Sequence, residues 1–223
     1  MDFLNAIIFG IVEGVTEFLP ISSTGHLILT AKILRIPQTD FIKSFEIAIQ
    51  LGAILSVLFL YWKKLFIDFD VLKRVLVAFV PTAFIGFVLY KIIKTYFLAS
   101  SNIVIWSLLI GGIILIIFEL LYHQKEDAID NLASISYKQS LIIGLFQSMA
   151  VVPGVSRAAA TIIGGLTLGL KRKTIVEFSF LLAIPTMLAA TAYDLFKSAP
   201  LFSSQQFAFL TVGFVTSFIF ALL

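Results

Sequence analysis

The chain has no cysteine, which excludes a disulfide framework and any thiolate metal site. It is also poor in charge: Asp, Glu, Lys and Arg make up 13% of its 223 residues, against about 25% in soluble domains. That shortage excludes an ordinary water-soluble domain. The basic excess is only +3, too small to argue for a nucleic-acid partner. The start, Met1-Asp2-Phe3, lacks the basic lead of a secretory signal, so no cleaved leader is expected. What remains is apolar. Hydrophobic residues make up 60%, 23 residues are Phe, and mean hydropathy is +1.05. Such a chain fits several bilayer spans of about 20 apolar residues each.

Apolar runs at 45–62, 72–93, 103–122 and 175–193, with a fifth at 207–223, are expected to cross the bilayer. Two regions do not fit. Residues 3–36 form two short pieces broken at 20–25, and residues 139–170 form two more broken at 153–156. Each piece is too short to span alone. Broken backbone at membrane depth is tolerated only inside protein or beside a wet cavity. Both regions therefore read as re-entrant hairpins.

The two hairpins resemble each other. Gly10-x-x-Glu13 then Pro20-x-x-Ser23 parallels Gly144-x-x-Gln147 then Pro153-x-x-Ser156, and Phe45-Glu46 parallels Val176-Glu177. The offsets are 134, 133 and 131 residues. Paired interrupted segments at a near-constant offset suggest an internal duplication with a binding site at its interface. Three spans separate the hairpins, an odd number, so the repeats are expected to be inverted. The expected fold is all-α: one polytopic membrane domain over 1–223, with repeats of about 1–122 and 136–223. Because the chain stops within an apolar run at Leu223, a further span is expected after it. Lys and Arg at the membrane ends divide nine to six, with Lys125 among the nine. Positive-inside logic then sets the open ends of the first hairpin outside the cell. Segment 123–138 reads as a solvated connector.

Chemistry concentrates at the two breaks. Glu13 and Glu17, four apart, share one helix face, and a charge at mid-bilayer costs about 2.5–3.5 kcal/mol on insertion scales unless it faces a polar cavity. The hydroxyls of Ser22, Ser23 and Thr24 suit the cap of a helix starting near His26. A half-helix N-terminus of that kind attracts phosphate. Pro153-Gly154-Val155-Ser156-Arg157 repeats the arrangement and adds a guanidinium, which grips phosphate oxygens in pairs. Glu13 and Glu17 could hold a divalent cation or act as an acid/base pair. His26 could move a proton, and Ser23 could attack phosphorus once a base activates it. Glu46 with Gln50, on one face, could line the cavity. Blander readings stand beside these: Ser22 and Ser23 as caps alone, His26 as a packing residue, Arg157 snorkelling to an interface. Glu119 and Asp194 look structural, and His123 carries no signal.

These motifs resemble the bacterial undecaprenyl pyrophosphate phosphatase family, also called bacitracin-resistance proteins. The resemblance rests on Glu13-x-x-x-Glu17 with Pro20-Ile-Ser-Ser-Thr-Gly-His26, and on Pro153-Gly-Val-Ser-Arg157. It extends to Phe45-Glu-Ile-Ala-Ile-Gln50 and Glu177-Phe-Ser-Phe-Leu-Leu-Ala-Ile-Pro185. It implies a multi-pass enzyme of the bacterial inner membrane, its site facing outside, that removes the terminal phosphate of undecaprenyl pyrophosphate. It also implies a divalent cation, usually magnesium, on Glu13 and Glu17. The same resemblance gives Glu13, Glu17, Ser23 and His26 as catalytic residues. Arg157, Ser156, Ser22, Thr24, Gly154 and Gln50 are expected to bind substrate. The attacking group stays open between Ser23, His26 and water. The family's second motif usually continues Ser-Arg-Ser-Gly, where this chain has Ala158-Ala159. The expected partners are a polyprenyl pyrophosphate lipid and the bilayer, with a homodimer compatible. The rival function is a transporter or lipid flippase, since broken helices in inverted repeats are transporter architecture.

Overall fold

The computed structural model describes every residue except Ala99 and Lys125, so the Lys125 of the topology count lies outside the described residues. Nine α-helices are described: α1 (Phe3–Thr16), α2 (Ser23–Ile33), α3 (Asp40–Phe66), α4 (Phe69–Ile92), α5 (Ser101–Leu121), α6 (Tyr137–Ser148), α7 (Arg157–Thr167), α8 (Arg172–Ser198) and α9 (Ser204–Leu222). The local reason for their starts is plain in the sequence. A Ser, Thr or Asp side chain accepts a backbone N–H at the start of every one except α8, which satisfies donors that a new helix leaves free. α4 continues into a π-helical turn, Ile93–Phe97. No strand occurs among the described residues; Ile129 and Leu170 form one isolated bridge.

Five helices, α3, α4, α5, α8 and α9, are long and apolar enough to cross a bilayer, and the chain is a multi-pass membrane protein. Each stands where an apolar run stands in the sequence, but all five start two to five residues earlier, and α3 and α8 also run on past the end of theirs. α3, for example, extends to Asp40 and through Lys63 and Lys64, since Lys stems lie along apolar surface while their heads reach water. α1, α2, α6 and α7 contain 14, 11, 12 and 11 residues. At about 1.5 Å per residue they fall short of a 30 Å hydrocarbon core. They pair as two hairpins, α1 on α2 and α6 on α7.

The connector before α6 is less solvated than its composition implies. Ala128, Leu132 and Ile135 are buried, and the last two join the main apolar cluster with residues of α3, α4, α6, α7 and α8. Their side chains are apolar, and burial outweighs the polar neighbours. A second cluster joins α1, α2, α3 and α9 around Phe9, Phe45 and Phe209.

One contact sets how deeply the second hairpin sits. A Cβ built on Gly144 of α6 would lie 2.0 Å from the Ala78 carbonyl oxygen of α4. The helices touch backbone to backbone, as small residues permit inside membranes. Gly144→Val should therefore force α6 off α4 and cost about 1–3 kcal/mol, read as a lower unfolding midpoint in detergent. An unchanged midpoint would show that this close approach does not exist.

Candidate functional site

The tips of the two hairpins meet at the centre of the molecule. In the first, α1 ends at Thr16, and Ser22, at φ 64, begins the return. A positive φ is costly for a residue with a Cβ and is held only where surroundings dictate it. Ser22 accepts the Gly25 N–H at 3.3 Å, so α2 begins at Ser23, three residues before the expected start near His26. In the second, Ser156 accepts the Ala159 N–H at 3.2 Å and Arg157 is the first residue of α7. Gly154 makes that tip possible. Its φ is 96, and a Cβ there would lie 2.7 Å from the Val104 carbonyl oxygen and from Cβ of Ser107, both on α5.

Convergence of the tips brings Glu17 and Arg157, 140 residues apart, into contact: Nη2 of Arg157 donates to Oε1 of Glu17 at 2.8 Å. Nη1 donates to the Ser179 carbonyl oxygen of α8 at 3.1 Å, which fixes the guanidinium in place. The Ser23 hydroxyl donates to the other oxygen of Glu17. All three side chains are buried. A hydroxyl, a carboxylate placed to accept its proton, and a guanidinium thus form one connected group.

These residues line a cavity of about 510 Å³, and Ser22, Thr24, Gln50 and Ser156 line it too. Gln50 donates to the Thr24 hydroxyl at 2.8 Å, holding α3 to the start of α2. Glu46 departs from expectation. It lies in the second turn of α3, only 1% exposed, and accepts from Gln38 at 2.9 Å. Helix α3 begins five residues earlier than its apolar run, at Asp40. Glu46 is therefore buried away from the cavity wall.

Three other expected residues stand off that wall. Gly154 is pressed against α5, and its contribution is the turn. His26 is half-buried, and its Nδ1 meets the Ser22 carbonyl oxygen at 2.8 Å. A carbonyl only accepts, so Nδ1 carries a proton. Glu13 lies beside Glu17 and Ser23, is fully buried, and neither of its oxygens has a partner. A buried carboxylate without a partner is costly, so its oxygens fit a cation. Among the described residues no group of three or more His, Cys, Asp or Glu side chains is suited to a metal. A cation beside Glu13 would therefore draw on few carboxylates, as magnesium often does.

Sequence reasoning missed part of the wall. Thr82, Gln147 and Thr186 line the deep end, and Tyr90 and Tyr193 the end toward the α4–α5 turn. The signal available for the threonines is that each follows a proline inside a span, Pro81 and Pro185. Beyond the tyrosines, Lys94 pairs with the buried Asp194, and Tyr90 donates to the same carboxylate at 2.8 Å. This joins α4 to α8, in keeping with a structural role for Asp194. Glu119 pairs with Arg172 at the opposite membrane end.

Residues 6–223 match the family model described as bacitracin resistance protein BacA. An undecaprenyl-diphosphatase of Aquifex aeolicus is 55% identical over 219 residues, covering 98% of this chain and 85% of the relative. One from Sulfurihydrogenibium sp. is 54% identical over 222 residues, covering 100% and 87%. One from Wolinella succinogenes is 52% identical over 223 residues, covering 100% and 86%.

Proposed function

The chain belongs to the bacitracin resistance protein BacA family, and on that premise we propose that its cavity hydrolyses undecaprenyl pyrophosphate to undecaprenyl phosphate and inorganic phosphate. The reaction returns carrier lipid to peptidoglycan and envelope polymer synthesis and confers bacitracin resistance. The observation that carries the reading is the buried group of Ser23, Glu17 and Arg157 at the wall of a cavity with an apolar side.

Arg157 and the N-terminal N–H groups of α2 and α7 bind the pyrophosphate, since helix N-termini and guanidinium groups both favour phosphate. Incoming phosphate competes with Glu17 for Arg157 and frees that carboxylate to serve Ser23. Ser23 Oγ attacks the terminal phosphorus and its proton passes to Glu17. The bond to the bridging oxygen breaks and undecaprenyl phosphate leaves. Water then cleaves the phosphoserine, releasing inorganic phosphate and restoring Ser23. Such an activated hydroxyl needs an adjacent base within hydrogen-bond reach, which supports Ser23 over His26 as the attacking group. His26 acts behind the Ser22 turn, on which its Nδ1 is anchored. A magnesium ion held by Glu13, with Glu17 once that carboxylate is free, would neutralise charge on phosphate oxygens.

In this reading the protein resides in the inner membrane and the cavity opens outside. Its apolar end runs past Tyr90, Ile93 and Leu98, toward the membrane side poorer in Lys and Arg. The halves are read as inverted repeats. Packing supports this, for α1 lies on α9 as α6 lies on α4.

The test is phosphate release from a polyprenyl pyrophosphate by purified, folded protein in detergent with magnesium. Turnover without any ion gradient is expected, and addition of a chelator should suppress it. No release would contradict the reading. Movement of intact lipid across liposomes without phosphate release would favour transport instead.

A further inference from the structure

Gln147 is the last residue but one of α6 and is only 1% exposed. Its Nε2 donates to two hydroxyls, Thr82 on α4 and Thr186 on α8, each at 3.0 Å. Those hydroxyls spend their own protons elsewhere. Thr82 donates to the Gly144 carbonyl oxygen at 3.1 Å and Thr186 to the Leu182 carbonyl oxygen at 2.8 Å. Both threonine oxygens can therefore only accept, which fixes the amide with its nitrogen toward them. The amide oxygen is left over. Oε1 of Gln147 is buried without a partner, and so is Nε of Arg157, on a residue that lines the same cavity.

A tie between helices would use the nitrogen alone and leave a buried acceptor unpaired, which native proteins avoid. A ligand that presents an acceptor to Arg157 and a hydrogen-bond donor to Gln147 satisfies both groups. A protonated phosphate does so. We propose that Gln147, positioned by Thr82 and Thr186, is a phosphate-binding residue of this cavity, its Oε1 accepting the hydrogen bond of a P–OH group. The proposal rests on the reading that the cavity takes a pyrophosphate. The amide is apt because it is neutral. Gln147 stands 134 residues after Glu13, at the matching place in the other hairpin, and a second carboxylate here would repel the phosphate that Arg157 attracts.

The P–OH can belong to the terminal phosphate of the substrate or to the released inorganic phosphate. The test measures inorganic phosphate binding by calorimetry, and KM and kcat for a polyprenyl pyrophosphate, in wild type, Gln147→Ala, Gln147→Glu and Thr82→Val. Gln147→Ala should weaken phosphate binding or raise KM by about five- to tenfold, the effect of one lost hydrogen bond, with a smaller change in kcat. Gln147→Glu should weaken either one further, because its charge repels the anion. Thr82→Val should fall between wild type and Gln147→Ala, since the amide keeps one anchor. A change in phosphate binding alone assigns the contact to product, and a change in KM alone to substrate. Phosphate binding and KM both within twofold of wild type in folded Gln147→Ala would overturn the proposal and make the amide a structural tie. If that variant does not fold, Gln147→Glu and Thr82→Val decide by the same criterion. A wild type that releases no phosphate would instead refute the reading of the cavity, and calorimetry would still report on Gln147.

Discussion

Arg157→Ala is expected to reduce phosphate release by about 10²–10³-fold, the usual effect of removing a donor aimed at charge in the transition state. KM should rise as well, because the guanidinium also holds the resting phosphate. The same change leaves Glu17 buried without its cation, and breaking a buried pair costs about 3–5 kcal/mol. A loss of fold would then imitate a loss of chemistry. Arg157→Lys separates the two. It keeps the positive charge beside Glu17 but replaces the planar fork by a point charge, so the fold should persist while turnover still falls about tenfold or more. Phosphate release and an unfolding midpoint measured on the same preparations check both. Near-wild-type turnover in folded Arg157→Ala would remove this residue from the site.

Glu17→Gln should lower kcat by about 10²–10⁴-fold, the range for loss of a general base, while changing KM less than Arg157→Ala does. The substitution preserves shape, and its amide oxygen can still accept from Arg157. What it removes is the acceptor for the Ser23 proton: an amide nitrogen facing Oγ donates and cannot take a proton. In a double-mutant cycle with Arg157→Met, stability losses should be strongly non-additive, as expected of groups in direct contact. Additive losses would mean that the ion pair contributes nothing as a pair.

The two substitutions probe a site whose parts were unequally legible. The spans could be read because about 20 apolar residues in a row have one stable solution in a bilayer. Their ends could not, because capping Thr39 and the snorkelling Lys63 and Lys64 extend α3 beyond its apolar run. That same extension carried Glu46 into the interior, where Gln38 meets it. The buried feet of the connector, Leu132 and Ile135, were hidden by polar neighbours in sequence. Glu17, Ser23 and Arg157 stood out because each is out of place in apolar surroundings. Gln147 is equally out of place. It was legible only as the counterpart of Glu13, since the threonines that anchor it come from two distant helices.

From the chain alone it followed that this is a helical membrane protein with two interrupted hairpins, a carboxylate pair at one break and a guanidinium at the other. Hydropathy, proline and glycine breaks and capping hydroxyls act over a few residues, so they can be read in order. Which groups meet was decided only by packing. The backbone contact at Gly144 and the fit of α1 on α9 bring the hairpin tips together, put Glu17 on Arg157, and leave His26 behind the Ser22 turn. Contacts across 140 residues depend on how whole helices pack, and no local pattern encodes that.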